Sequence, residues 1–291
     1  VLTRVGLRST SRMKLKIDHV TIAGSRLEPL QQAFADAGLT TDYGGPHSNN
    51  ITHMSLLGFD DGSYIELIST LAPGQHSPWW HEHIVGDGGP CAWALEVDNV
   101  ATEVQRVSAL GVAVDGPHHY SRQRPDGTLI EWDLAVLGDQ GMGALLPFII
   151  KDRTPRHYRV SPSASVVNSE LTGVATVVLG VRELEQAVAL FRKVYNLPSP
   201  EYQESPDFGT VLARFGAQPL TLAAPLGSQG WLSARLARFG ETPCAYLLGT
   251  RDIRKSAERF RLCKTKAWFS QDVAWFDSGA LTALRLGVVS S

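Results

Sequence analysis

Near its beginning the chain reads Lys16-Ile17-Asp18-His19-Val20-Thr21-Ile22-Ala23. Apolar and polar residues alternate along this β-rich stretch, which predicts a half-buried strand. Apolar residues then recur at helical spacing over residues 27–37, and Gly38 is a suitable C-cap for that helix. An irregular strand near residues 40–43 and a hairpin over residues 52–69, turned at an Asp-Gly pair, complete the segment. The order of strand, helix and three strands predicts one βαβββ unit.

The same order of elements recurs three more times along the chain. New units begin with predicted strands at residues 91–97, 174–181 and 244–248, and each strand is followed by a helical stripe. After the helix, the next strand of the second unit is predicted at residues 113–116, and the third unit has predicted strands at 210–215 and 219–224. One such unit leaves a face of its sheet uncovered, so two units are expected to pair around a shared concave space that suits a small ligand. We therefore predict an α+β fold of four βαβββ modules, arranged as two paired-module domains.

Composition gives the domain boundaries. A Pro- and Ser-rich run without periodicity, over residues 154–165, marks a linker between the second and third units. Met13 is a candidate start, because the residues before it fit no unit. The predicted organisation is an N-terminal extension over residues 1–13, a first paired-module domain over 14–155, a linker over 156–170 and a second, degenerate paired-module domain over 171–291.

The overall composition narrows the class of protein. Of the 291 residues, 43% are hydrophobic and 19% are charged, so the chain can bury a core and is not a disordered protein. The 27 basic and 29 acidic residues leave a net charge of -2, which gives no field to attract nucleic acid. The three cysteines form no C-x-x-C pair, and neither a secretory nor a membrane-spanning segment is recognisable. These features predict a cytoplasmic protein with no membrane partner.

Two strand sequences resemble the vicinal oxygen chelate superfamily, namely Asp18-His19-Val20-Thr21-Ile22 and Tyr64-Ile65-Glu66-Leu67-Ile68. That superfamily includes glyoxalase I, extradiol dioxygenases and bleomycin-resistance proteins. More narrowly, residues 17–152 resemble the glyoxalase-like domain family, whose pattern is matched by Gly44-Gly45-Pro46-His47 and by Arg124-Pro125-Asp126-Gly127-Thr128. The resemblance implies a small-molecule ligand and a divalent metal (Fe, Mn, Zn or Ni) held by side chains of the first and fourth strands of a module.

The candidate metal ligands are His19, His53 and Glu66. Alternation along the strands places His19 with Ile17 on one face and predicts that His19 and Glu66 both face the concave space. The resemblance implies that these two bind the metal. His53 on the third strand, or His47 in the loop before it, is the candidate third ligand, and Glu66 and His53 are also the candidate catalytic residues. The position that matches His19 in the second module is near Ala92, which cannot bind a metal. The alternative is a His–Glu hydrogen bond that lines a metal-free pocket for an organic ligand.

Four other residues are candidates for binding the substrate. His47 follows a Gly-Gly-Pro turn that brings the backbone close to a ligand. Arg122 and Arg124 precede a turn, where a fixed guanidinium would bind a carboxylate in a bidentate manner, unless a neighbouring acidic residue neutralises it. Trp93 lies on the strand that opens the second module, where its indole either walls the pocket or packs in the core.

Two functions remain open at this point. In the first, the protein is a metal-dependent lyase, isomerase or dioxygenase that acts on a small oxygenated metabolite in the first domain. In the second, it is a metal-free protein that binds or sequesters a small molecule, as resistance proteins of similar fold do. The C-terminal half has no His–Glu pair at the matching positions, so we expect it to be structural, a lid, or the surface of a homodimer.

Overall fold

The computed structural model describes residues 14–263, 266–277 and 279–290. The predicted N-terminal extension, residues 1–13, lies outside the described residues. Within them the chain forms two eight-stranded mixed sheets with helices packed against them. The predicted α+β fold of four βαβββ modules is confirmed.

The first half contains two modules, one built around β1 to β4 and one around β5 to β8. Its elements are β1 (Ile17–Ala23), α1 (Leu27–Asp36), β2 (Asp42–Pro46), β3 (Thr52–Gly58), β4 (Tyr64–Thr70), α2 (His81–Val85), β5 (Gly89–Glu96), α3 (Val100–Ala109), β6 (Val114–Gln123), β7 (Leu129–Leu137) and β8 (Phe148–Asp152). Its strand order is β2-β3-β4-β1-β5-β8-β7-β6, and the modules meet where β1 runs antiparallel to β5.

The second half repeats this arrangement. After α4 (Arg156–Arg159) and α5 (Ala164–Val167) come β9 (Leu171–Gly180), α6 (Leu184–Tyr195), β10 (Glu201–Ser205), β11 (Thr210–Arg214), β12 (Leu220–Pro225), α7 (Trp231–Phe239), β13 (Pro243–Thr250), α8 (Ile253–Phe260), β14 (Lys266–Trp268), β15 (Gln271–Trp275), α9 (Ala280–Leu284) and β16 (Leu286–Ser290). The strand order, β10-β11-β12-β9-β13-β16-β15-β14, matches that of the first half position by position. No helix in the described ranges is long and apolar enough to cross a membrane.

The helix-covered faces of the two sheets share one hydrophobic core. Val20 and Phe34 from the first half belong to the same buried cluster as Phe191 and Phe260 from the second. Burying such large side chains stabilises each by about 1.5–3 kcal/mol relative to exposure. The other face of the first sheet is therefore left to form a concave surface.

A bulge in β1 changes which side chains face that concave surface. The pairing of β1 with β5 shifts between Ile17 and His19, so the simple alternation predicted from the sequence does not hold there. Ile17 packs in the shared core with Val20, whereas His19 lies on the concave side. The bulge thus places His19 and Ile17 on opposite faces of the sheet, although the sequence predicted that they share one face.

The segment predicted as a linker holds the helices α4 and α5 and is attached to the first sheet. Arg159 is buried and forms ion pairs with Asp18 and Asp152. The Pro and Ser residues of this segment mark sharp bends between one-turn helices. The structure therefore places residues 156–163 against the first half.

The concave face of the second sheet carries an apolar cluster and also opens into a recess, of about 910 Å³ with its mouth included. Leu232 and Leu236 of α7 pack there in one buried cluster with Phe208 and Trp268. In the first half the corresponding helix, α2, has five residues rather than the nine of α7. The two halves therefore differ in the helix that follows the fourth strand of their first module.

Candidate functional site

A cavity opens on the concave face of the first sheet and measures about 610 Å³ with its mouth included. A polar side is lined by His19, His47, Tyr64, Glu66, Arg122 and Arg159. The rest of the wall is apolar or aromatic, lined by Met54, Leu56, Trp79, Trp80, Tyr120, Trp132, Leu134, Met142, Phe148 and Ile150. This mixture of a few polar groups on an apolar wall is typical of a site for a small organic ligand.

His19 is oriented by the residue before it. Its Nδ1 atom lies 2.5 Å from Oδ1 of Asp18, and its ring stacks on Tyr64 with centroids 4.5 Å apart. Burial acts to raise the pKa of Asp18, but the charge and hydrogen bonds of Arg159, together with those of His19, hold it well below its ordinary value. The ionised carboxylate accepts a hydrogen bond from Nδ1–H, which leaves the lone pair on Nε2 of His19.

Asp18 belongs to a buried network of two acids and two arginines. Arg156 donates to it over 2.5 Å, and both terminal nitrogens of Arg159 donate to it over 2.8 Å. Arg159 also donates to the Tyr64 hydroxyl over 2.8 Å, and both arginines bond Asp152. The charges of this network balance, so its formation needs no ion from outside.

Glu66 is the second buried acid and faces His47. The distance between Oε1 of Glu66 and Nε2 of His47 is 3.6 Å, and Nδ1 of His47 lies 2.9 Å from the Thr52 hydroxyl. Burial acts to raise the pKa of Glu66, but a hydrogen bond and the charge of His47, then the charges of His19 and Arg122, lower it below its ordinary value. Glu66 is therefore a carboxylate rather than a proton donor near neutral pH.

Arg122 brings a positive charge to the cavity wall. Its Nη1 donates to the carbonyl of Gly44 over 2.8 Å, and no carboxylate in the described part of the chain lies within ion-pair distance of it. Burial lowers its pKa, against the opposing charges of Tyr64 and Glu66, yet an arginine stays protonated. A guanidinium without an acidic partner is suited to bind an anionic group of a ligand.

Three residues predicted for the site lie elsewhere. His53 is on β3 between Met54 and Thr52, and its ring contacts Tyr43, with 3.5 Å between Nδ1 and the hydroxyl, outside the cavity lining. Met54 faces the cavity, and neighbouring strand residues point to opposite faces, so His53 faces away. Burial is the main cause that lowers its pKa. His53 therefore does not join His19 and Glu66.

Arg124 and Trp93 are also outside the cavity lining. Arg124 is exposed, where it forms an ion pair with Asp126 and donates to the carbonyl of Tyr158 over 3.2 Å. Trp93 is fully buried in the shared core beside Phe191, with its indole N–H bonded to a backbone carbonyl 3.2 Å away. The structure thus corrects the expectation that Trp93 walls the pocket.

The predicted metal ligands His19, His53 and Glu66 do not come together. In the ranges that the structure describes, no three His, Cys, Asp or Glu side chains converge closely enough to hold a metal ion. The closing strand of the second module contributes Phe148 and Ile150 to the cavity, and neither can bind a metal. The side chains present therefore do not fit a three-ligand metal centre.

Several residues of the site were missed from the sequence. Tyr120 lies two positions before Arg122 and Trp132 two before Leu134, so strand alternation from a known cavity residue would have found both. No sequence signal marks Arg159, because it lies on a one-turn helix beyond the last strand of the second module. In the sequence Asp18 is only one residue of a strand motif, and its role depends on its contacts with Arg159.

Comparisons with known proteins agree with this geometry. The sequence profile of the Glyoxalase-like domain family matches residues 17–195, more than half of the chain. The chain belongs to the glyoxalase-like domain family. The match covers both modules that build the cavity, and the resemblance to the vicinal oxygen chelate superfamily is confirmed. No sequence among the curated proteins matches significantly.

Solved structures share the architecture of this glyoxalase-like protein at low sequence identity. A hypothetical protein from Staphylococcus aureus superposes with a TM-score of 0.60 at 13% identity, over 95% of this chain and 99% of the other. A variant of 4-hydroxymandelate synthase from Streptomyces coelicolor gives 0.59 at 12% identity, over 95% and 92% of the two chains. A fusion of a xylose isomerase-like TIM barrel with 4-hydroxyphenylpyruvate dioxygenase gives 0.60 at 11% identity, over 99% and 51%. At these identities the likeness shows the fold alone.

Proposed function

We propose that the cavity of the first half binds a small carboxylic acid with an apolar or aromatic body and moves a proton on it, with His19 as the base. The Asp18–His19 pair carries this proposal, because it leaves the lone pair of Nε2 on the cavity wall. A carboxylate bonded to Nδ1 orients an imidazole and stabilises its protonated form. The same orienting effect is expected here.

Arg122 is the proposed partner of the ligand carboxylate. It has a positive charge without an acidic partner within ion-pair distance in the described chain, and it lies on the cavity wall. A guanidinium binds a carboxylate with two parallel hydrogen bonds. The rings of Trp79, Tyr120 and Trp132 provide flat apolar surfaces for the rest of the ligand.

The proton transfer follows from this placement. Nε2 of His19 takes a proton from the carbon next to a carbonyl of the ligand, and the electrons of that C–H bond move to the carbonyl oxygen as an enolate. The imidazolium, hydrogen-bonded to Asp18, then returns a proton to the same carbon as the carbonyl re-forms. Atoms and charge balance, so the reaction class is enolisation with proton exchange at that carbon, and a positioned base of this kind contributes about 10²–10⁴-fold in rate.

Two alternatives are weighed against this proposal. Metal-dependent lyase or dioxygenase chemistry needs donors that the cavity does not bring together, so we derive no step through a metal. A binding or sequestering protein is the second candidate function. It is favoured by the apolar wall of Phe148 and Ile150 where a second module would otherwise contribute polar side chains.

The test combines binding with proton exchange. Quenching of tryptophan fluorescence measures the affinity for a panel of aromatic and aliphatic 2-oxo acids, since Trp79, Trp80 and Trp132 line the cavity. Proton NMR in D₂O measures exchange at the carbon next to the carbonyl. We expect His19→Gln to keep binding and lose exchange at least 100-fold, and Arg122→Gln to bind at least tenfold more weakly.

Arg124→Gln is the matched control, because Arg124 is exposed and outside the cavity lining. This variant should bind the 2-oxo acids and exchange their protons as the parent does. Saturable binding without exchange for the whole panel would support the sequestering function instead. Equal affinity of the parent and of Arg122→Gln would refute the proposed role of Arg122.

A further inference from the structure

A second opening lies beside the cavity, where the two halves of the chain meet. We call it the interface recess; it is lined by Trp79, Trp80, His83, Arg238 and Thr242, among others. Trp79 and Trp80, together with Met142, line the cavity as well. A ligand held in the cavity would reach the recess by passing these shared side chains.

The wall of the recess contains buried polar atoms without partners. His83 is 7% exposed and Thr242 is 6% exposed. Neither Nε2 of His83 nor the Thr242 hydroxyl has a hydrogen-bond partner among the residues that the structure describes. A buried polar group left unsatisfied costs about 1–3 kcal/mol. Both groups are able to donate a hydrogen bond, so a ligand that accepts hydrogen bonds would satisfy them.

The charges around the recess are mainly positive. Arg238 lies over the ring of Phe239, with 4.8 Å to the centroid, and no acidic group of the described chain is within ion-pair distance of it. Arg235, one helical turn earlier, is likewise without an acidic partner and donates to the carbonyls of Gly88, Pro90 and Pro243. The acidic side chain among the lining residues is Glu82. Among the lining residues Arg238 and Glu82 therefore balance each other, and Arg235, which is not a lining residue, adds a positive charge nearby.

The imidazole of His83 is neutral in this setting. Burial first, and then the charges of Arg235 and Arg238, lower its pKa to about 3. Its ring stacks on Phe239 with centroids 4.5 Å apart, which fixes its position. A neutral imidazole close to two cations is able to donate a hydrogen bond to an anion without adding a charge of its own.

We propose that the interface recess is an anion subsite, which takes a phosphate or a second carboxylate group at the far end of the ligand. The anion subsite depends only on the residues of the recess, whereas its connection to a ligand in the cavity rests on the proposed function. Arg238 forms the ion pair with the anion, while Thr242 and His83 donate hydrogen bonds to its oxygens. The C-terminal half thereby contributes to ligand selection, because Arg238 and Thr242 belong to it.

NMR of the full chain with ¹³C-labelled histidine tests this subsite, with His83→Gln assigning the resonance. Inorganic phosphate and acetate are titrated separately at fixed ionic strength, so that the two titrations distinguish a phosphate site from a carboxylate site. We expect a saturable shift of the His83 signal with at least one of them. Arg238→Gln and Thr242→Val should weaken it at least tenfold, and Arg192→Gln, an exposed arginine on α6, should not change it.

A further variant separates this inference from the proposed function. Arg122→Gln removes the cation of the cavity but leaves the recess intact, so the phosphate or acetate shift should persist in it. The subsite is refuted if the parent shows no saturable shift with either anion. It is equally refuted if the shift survives in Arg238→Gln and disappears in Arg122→Gln, since the anion would then occupy the cavity.

Discussion

Asp18 is buried between two arginines and a histidine, and each of its carboxylate oxygens accepts two hydrogen bonds. Removing one member of such a network leaves the others buried with uncompensated charge, which costs more than the network contributes when complete. Asp18 also fixes the tautomer of His19. A single residue therefore links the stability of the first half to the chemistry of its cavity.

We predict that Asp18→Asn lowers the free energy of unfolding by about 3–5 kcal/mol, because Arg159 and Arg156 lose their shared carboxylate. Urea denaturation followed by circular dichroism measures the change. Asp126→Asn, at an exposed turn, is the control and should change stability by less than about 0.5 kcal/mol. A variant as stable as the parent would contradict the role given to the network.

The dependence on pH follows from the same residue. The pKa of Asp18 is lowered in the folded state, so the unfolded chain binds the proton first as the solution is acidified. The stability that Asp18 contributes is present above its ordinary pKa of about 4 and is lost as the pH falls through the folded value. Asp18→Asn should therefore lose less stability than the parent below pH 4.

Among the elements, strands with one buried face were predicted well and edge strands poorly. The sequence predicted β1, β3 and β4 within one or two residues, because their apolar residues are bounded by clear turns. β10 was not predicted, and β6 was predicted only over residues 113–116, because both are edge strands whose side chains are largely exposed. An exposed strand need not alternate apolar and polar residues, so its sequence shows no period of two from which the strand could be predicted.

The site was harder to predict than the fold for a related reason. Alternation brought His19 and Glu66 to the cavity side, but the same rule applied to β3 turns His53 away once Met54 faces inward. The contacts of Arg159 with Asp18 span 141 residues, and no local pattern encodes a contact of that range. The metal-binding and catalytic roles first assigned to these residues depended on the resemblance rather than on the geometry.

The segment after β8 supplies a prediction at the element scale. Gly58 on β3 exchanges hydrogen bonds with Ser163, and a Cβ added to Gly58 would overlap the carbonyl of Ser161. Gly58→Ala should push this segment off the sheet, because the clash is with backbone that cannot rotate away. We expect a loss of about 1–3 kcal/mol in stability and faster proteolysis within residues 156–170.

Gly227→Ala is the matched control, since no atom lies within 4 Å of the position that its Cβ would take. Limited proteolysis followed by mass spectrometry locates the cleavage in both variants. Cleavage of Gly58→Ala at the parent rate would show that the segment is not held by this contact.

For the whole molecule, the two halves meet at the strands that build the cavity. The hydroxyl of Tyr246, on β13, donates to the carbonyls of Thr21 and Ala92 over 3.0 and 2.7 Å. Thr21 pairs with Glu66 in the sheet, and the pairing of β1 with β5 shifts right after Thr21. The second half thus bridges the strands beside a cavity residue, which extends the structural role expected for it. The domain boundaries and a homodimer remain predictions.

We predict that Tyr246→Phe lowers the free energy of unfolding by about 1–3 kcal/mol, because the one hydroxyl proton shared by the buried carbonyls of Thr21 and Ala92 is lost. It should also weaken ligand binding in the cavity, since the position of β1 depends on this bridge. Thermal denaturation and the fluorescence titration described above measure the two effects. Tyr202→Phe, on the exposed side of β10, is the control and should alter neither. Unchanged affinity in Tyr246→Phe would show that the bridge affects stability only.

The repeated order of the modules has a consequence for the engineering of this chain. Four copies of one module provide two concave faces, and the second, like the first, opens into a recess. Phe208, Trp268 and Trp275 line this second recess with aromatic rings that contact one another. A designer could therefore build a second receptor on these rings without touching the first.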